Sequence, residues 1–142
     1  MSKGEAAPLS SELYVGLAGF RYALRQFLAF SDAVTGAAGI TPQQYQCLLV
    51  IKTHPDGAMM IRDLAAQMLL QPHGAVQLVD RLVSAELAER RHSSTDRRSV
   101  LVALTQKGSK LLEQLARNHA KELLAQEPLL ADSLKRLRSL AG

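Results

Sequence analysis

Four arginines fall between positions 90 and 98 (Arg90, Arg91, Arg97 and Arg98), and the same stretch holds one carboxylate, Asp96. Guanidinium groups at this density make charge-assisted hydrogen bonds to phosphate oxygens, and their clustering is the electrostatic mark of a nucleic-acid surface. Just upstream, Gln71, Pro72, His73, Val76 and Gln77 form the polar side of an amphipathic stretch whose apolar side is Ala75, Leu78, Val79 and Leu82. A glutamine carboxamide can pair with adenine through two hydrogen bonds, and valine can touch a thymine methyl. Pro72 presets a helix start and leaves neighbouring N–H groups free for phosphate. Arg81 has two open readings: a phosphate contact, or a pair with Asp96 that braces the two stretches. Catalysis finds no comparable grouping. Ser, His and Asp are present without a motif that collects them, and no glycine-rich phosphate loop occurs, so no enzyme is expected. His54, His73, His92 and His119 are scattered without ligand spacing, so neither a metal nor a cofactor is expected.

Composition narrows the partner. The 142 residues carry a net charge of +4, and 47% are hydrophobic, enough for a sizeable core. Aromatic residues make up 4% with no Trp, which leaves few platforms for stacking unpaired bases and turns the expectation towards duplex DNA. Cys47 is the only cysteine, which excludes an intramolecular disulfide framework. Neither His nor Arg lies nearby in sequence to favour a thiolate, so a buried structural role is expected. No segment has the apolar length of a membrane span, and the first residues lack a signal-peptide stretch; a cytoplasmic, reducing setting is expected.

The elements that would position these residues follow from periodicity. A polar arm is expected over 1–8, then a helix over about 9–37 with the apolar series Leu13, Leu17, Phe20, Leu24 and Phe27. Thr41-Pro42-Gln43-Gln44 reads as a capping box that opens a second helix, closed by His54-Pro55-Asp56-Gly57. A short helix over about 61–68 and the Pro72 helix make a helix-turn-helix, with Ala65 and Ala75 small where the two approach. A hairpin follows, with Val100-Leu101-Val102 the strongest strand signal. Thr105 caps a further helix that Glu127-Pro128 should break, leaving a last helix through Leu130, Leu134, Leu137 and Ala141. The fold class is mainly α with a small β-hairpin wing. Its expected divisions are an arm (1–8), an N-terminal dimerisation helix (9–39), a winged helix-turn-helix lobe (40–104) and C-terminal dimerisation helices (105–142). Terminal helices with apolar stripes but little core of their own to cover point to a second copy of the chain.

Taken in order, Ile40-Thr41-Pro42-Gln43-Gln44-Tyr45, Asp63-Leu64-Ala65, Leu78-Val79-Asp80-Arg81-Leu82, Asp96-Arg97-Arg98-Ser99-Val100-Leu101-Val102 and Leu104-Thr105-Gln106-Lys107-Gly108 resemble the MarR (multiple antibiotic resistance regulator) family of winged helix-turn-helix regulators. The resemblance implies a homodimeric transcriptional regulator, most often a repressor, that binds a short palindrome of double-stranded DNA. It implies that Arg98 enters a narrow minor groove, that Arg97 meets phosphate, and that Asp96 holds Arg98. It also implies a small aromatic or phenolic effector, with Phe20, Leu24, Tyr45 and Leu48 as wall residues. Leu69 and Glu86 stand where many relatives have glycine, and Met60 stands where they have a hydroxyl cap. The competing expectation is a small-molecule or redox sensor that acts through a protein partner with weak or no DNA binding.

Overall fold

The computed structural model describes residues 4, 6–93, 95–96 and 99–141. Arg97, Arg98 and Ser94 of the hairpin tip, residues 1–3 and 5 of the expected arm, and Gly142 lie outside the described residues. Among the described residues, five helices and three strands follow in the order α1 (Ser11–Ala37), α2 (Pro42–Thr53), β1 (Ala58–Met60), α3 (Ile61–Met68), α4 (Pro72–Ser84), β2 (Ala88–His92), β3 (Val100–Leu104) and α5 (Gln106–Leu137), closed by a 3-10 turn over Arg138–Ala141. The chain divides into two compact units, residues 32–118 and residues 1–31 with 119–142.

Residues 32–118 form the winged helix-turn-helix. Leu48 and Ile51 of α2, Leu64 of α3, Val79 and Leu82 of α4 and Val102 of β3 have no exposed surface and form the centre of one core. Truncating any of these leucines to alanine costs about 2–5 kcal/mol, because the cavity is only partly refilled. The expected capping box is made in both directions. The Gln44 amide donates to Thr41 Oγ1 at 3.0 Å, and the Thr41 amide donates to Gln44 Oε1 at 2.9 Å. The sheet is antiparallel in the order β1-β3-β2, with Met59 and Arg90 both opposite Val102. β3, rich in branched residues, is the central strand, as its residue types favour. β1 has no counterpart among the expected elements: three residues are too few to show alternation.

The other unit pairs the first part of α1 with the later part of α5. Backbones approach closely at Gly16 and Gly19; a Cβ on Gly16 would sit 2.8 Å from the Ser133 carbonyl oxygen. His119 is buried, with Nε2 2.9 Å from the Ser31 hydroxyl, and the rings of Phe27 and Phe30 stand edge-on to it. The expected break at Glu127-Pro128 does not occur: α5 continues through Pro128 to Leu137. A proline withdraws the hydrogen bond to the carbonyl four residues back. That carbonyl belongs to Leu124, an exposed residue.

Candidate nucleic-acid interface

α4 separates its residues as its sequence demands. Ala75, Leu78, Val79 and Leu82 are buried, while Gln71, Pro72, His73, Val76, Gln77 and Arg81 are all exposed. Ala65 and Ala75 are buried as well, which allows α3 and α4 to pack closely. Pro72 sits in the first turn, and Gln71, the N-cap, makes no side-chain capping bond. The first-turn amides of α4 therefore receive no side-chain acceptor from their own cap. Along the exposed face, Gln77 Nε2 and His73 Nε2 lie 3.3 Å apart.

The turn into α4 is made by Leu69 at φ 55 and ψ 40, and the turn out of it contains Glu86 at φ 62. Both residues thus adopt the left-handed conformation, at a cost of about 1 kcal/mol each relative to glycine. Met60, the N-cap of α3, makes no side-chain bond. Beyond Glu86 the chain is locked to the start of α5. Thr105 Oγ1 donates to the Glu86 carbonyl at 2.6 Å, the Thr105 amide donates to the Leu87 carbonyl at 3.1 Å, and Lys107 Nζ donates to the Ala85 carbonyl at 3.2 Å. Gly108 lies so close to the Leu87 carbonyl that a Cβ would overlap it.

The wing changes the charge picture drawn from sequence. Arg90 is bound to Asp80 of α4, and Arg91 to Glu89 within β2. Two of the four clustered arginines thus carry a carboxylate partner, so the net cation density of the wing is lower than the count of arginines suggests. The Asp80–Arg90 bridge spans ten positions, which no local pattern reveals. It is this pair that joins α4 to the wing; among the described residues no ion pair involves Arg81, including one to Asp96. Asp96 accepts from the Ser99 hydroxyl at 3.2 Å, and the Ser99 amide donates to the Asp96 carbonyl, so Asp96 shapes the hairpin turn. The expected bond from Asp96 to Arg98 lies outside the described residues.

The four residues expected to line an effector site fall in different units. Phe20 and Leu24 are exposed on α1, whereas Tyr45 and Leu48 are buried in the core of residues 32–118. A separate groove of about 490 Å³ lies between α2 and the first turns of α5, with Leu49, Leu112 and Ala116 apolar and Lys52, Lys110 and Glu113 charged. Cys47 has no exposed surface, and desolvation pushes its thiol up to about 12. Burial also raises the Tyr45 phenol. No group of three or more His, Cys, Asp or Glu side chains able to hold a metal occurs among the described residues.

Residues 38–99 match the sequence model of the MarR family. Over 104 residues the chain is 36% identical to YhbI, an uncharacterised HTH-type transcriptional regulator of Bacillus subtilis, a stretch covering 72% of this chain and 66% of that protein. Two further relatives from the same organism, one named a transcriptional repressor, are covered over 48% and 44% of their length. The chain thus spans about half to two thirds of these curated relatives. Among solved structures it resembles RV1404 from Mycobacterium tuberculosis with a TM-score of 0.70 and 27% identity, covering 97% of this chain and 94% of that one. It also shares the fold of a mutant MarR from E. coli complexed with operator DNA, at a TM-score of 0.66 and 23% identity, covering 95% and 96%.

Proposed function

The chain belongs to the MarR family, and from that premise we propose that it is a sequence-specific regulator of transcription, a repressor, that binds a short palindrome of duplex DNA as a homodimer. The observation that carries this reading is the division of α4: one side is sealed into the core, while the other offers Gln71, His73, Val76, Gln77 and Arg81 to solvent, covered by none of the described residues. An exposed helix face of this chemistry, opening on a proline and preceded by a tight turn, is suited to the major groove. Arg97 and Arg98 extend the grip, one on phosphate and one in the minor groove, and Asp96 shapes the turn that carries them.

The homodimer reading is supported by α1. Tyr14, Leu17, Leu24 and Leu28 follow one stripe at helical spacing, and each is more than a third exposed. A second copy would cover this stripe and set two reading helices about one turn of DNA apart, ~34 Å. The groove between α2 and α5, with an apolar floor bordered by Lys52, Lys110 and Glu113, suits a small aromatic or phenolic effector. Such an effector lowers DNA affinity only by binding better to the state that does not hold DNA.

The test is selection from a randomised duplex pool, followed by titration of the winning sequence against a scrambled duplex. A palindromic consensus, bound at least about 1000-fold more tightly than the scrambled duplex, is expected. Arg98→Ala should weaken that binding by about 1–3 kcal/mol without changing the oligomeric state. Recovery of no consensus would refute the reading.

A further inference from the structure

The turn between α3 and α4 holds a residue that the folded chain does not need there. Leu69 adopts the left-handed backbone, where its Cβ is crowded in a way that glycine avoids. It is 92% exposed, more than any other large hydrophobic among the described residues. The hydrogen bonds of the turn come from the backbone: the Leu70 amide donates to the Ala65 carbonyl at 2.9 Å and the Leu69 amide to the Ala66 carbonyl at 3.3 Å. The leucine side chain therefore takes no part in closing α3, and it fills no part of the core. Strain and bare apolar surface coincide at one position, three residues ahead of Pro72 where α4 begins. Along α3, the turn and α4, the exposed large apolar side chains are Leu69 and Val76. The remaining large exposed side chains there are polar or charged, apart from Pro72.

Resting on the DNA-binding reading above, we propose that Leu69 is a specificity-determining residue that packs against a thymine C5-methyl group at the edge of the half-site. The surrounding chemistry agrees with that choice. Gln71 and Gln77 carry the donor–acceptor pair that matches adenine, and leucine offers the surface that matches the methyl of adenine's partner. The set therefore reads A·T pairs from both strands. Contact with the methyl group also removes the leucine from water, which gives the exposed side chain a bound state that favours it.

The experiment uses the full chain and the palindrome selected from a random pool. Each thymine is replaced in turn by uracil in both half-sites, which deletes only the methyl group, and affinity is read by fluorescence anisotropy. For the unsubstituted protein, one thymine should prove sensitive, with a loss of roughly three- to fivefold per half-site. Leu69→Gly should bind the thymine duplex roughly three- to tenfold more weakly and show no response to uracil at that position. Its melting temperature should rise, because glycine relieves the left-handed strain. Leu69→Asn, also at ease in that conformation, should bind like Leu69→Gly. Equal affinity of Leu69→Gly and the unsubstituted protein would overturn the proposal. So would a uracil profile unchanged by the substitution, or a fall in melting temperature that makes the side chain structural. If the unsubstituted protein selects no consensus at all, the regulator reading falls, and this inference falls with it.

Discussion

Cys47 has no exposed surface, and the penalty for a buried thiolate lifts its thiol from 9.0 to about 12. Between those values the folded chain keeps a proton that the unfolded chain has released. The contribution to stability is therefore whole below pH 9 and is lost as pH rises towards 12, at up to about 1.4 kcal/mol per pH unit. Unfolding free energy should decline more steeply above pH 9 in the parent than in Cys47→Ala. At about pH 8 the native chain should resist a thiol-directed disulfide reagent until urea unfolds it; prompt labelling would show the burial to be wrong. The same weighing of environment against residue type applies to Arg90. Its bridge to Asp80 is partly exposed and contributes at most about 1 kcal/mol to stability. Its larger effect is on charge, since Asp80 neutralises one guanidinium of the wing. Asp80→Asn should leave the melting temperature nearly unchanged and bind non-cognate duplex more tightly. The slope of log affinity against log salt should steepen by about one. An unchanged slope would mean that Arg90 does not reach DNA even when released.

At the scale of elements, what is legible in the sequence is what repeats locally. The helical spacing of Leu78, Val79 and Leu82 places α4, the Thr41–Gln44 box places the start of α2, and the branched run at Val100–Val102 places β3. Three features depend on surroundings that local pattern does not encode. β1 is a strand because β3 pairs with it, α5 runs on through Pro128 at a turn whose Leu124 is exposed, and the Arg90 bridge closes only once the wing folds back on α4. The exposed face of α4 is legible from periodicity, while the roles proposed for Arg97 and Arg98 come from resemblance and lie outside the described residues. The junction after α4 shows what remote contacts demand. Glu86 must take a left-handed conformation so that its carbonyl can meet Thr105, and Gly108 must lack a Cβ so that Leu87 can approach. Glu86→Gly should therefore stabilise the chain by up to about 1 kcal/mol, with little loss from its exposed contact to Lys107. Gly108→Ala, forced against a backbone carbonyl, should destabilise by about 1–3 kcal/mol or more. Thermal denaturation of the two variants should shift in opposite directions, and a shared direction would contradict this account of the junction.

For the whole molecule the decisive quantity is how many reading helices reach DNA at once. The stripe read along α1 splits in the folded chain. Leu13 is buried and Phe27 half-buried, whereas Leu17, Phe20 and Leu24 remain 48%, 39% and 37% exposed beside Tyr14 and Leu28. An apolar stripe of this length on a charged protein calls for a cover, and the second copy of α1 proposed above would supply one of the same chemistry through two-fold symmetry. Placing aspartate at Leu17 and Leu28 would bury four carboxylates in such an interface while leaving the inward residues Leu13, Ala23 and Phe27 untouched. Leu17→Asp/Leu28→Asp should therefore sediment as a single chain, where the parent should sediment at twice the chain mass, and its helical circular dichroism should persist. Each freed chain keeps its own α4 and wing, so affinity for an isolated half-site should hardly change. Affinity for the full palindrome should fall by about 100-fold or more, because the second contact is no longer made at high local concentration. A double substitution that still sediments as a dimer would place the interface elsewhere. A monomer that holds the palindrome as tightly as the parent would show that one copy is sufficient for recognition.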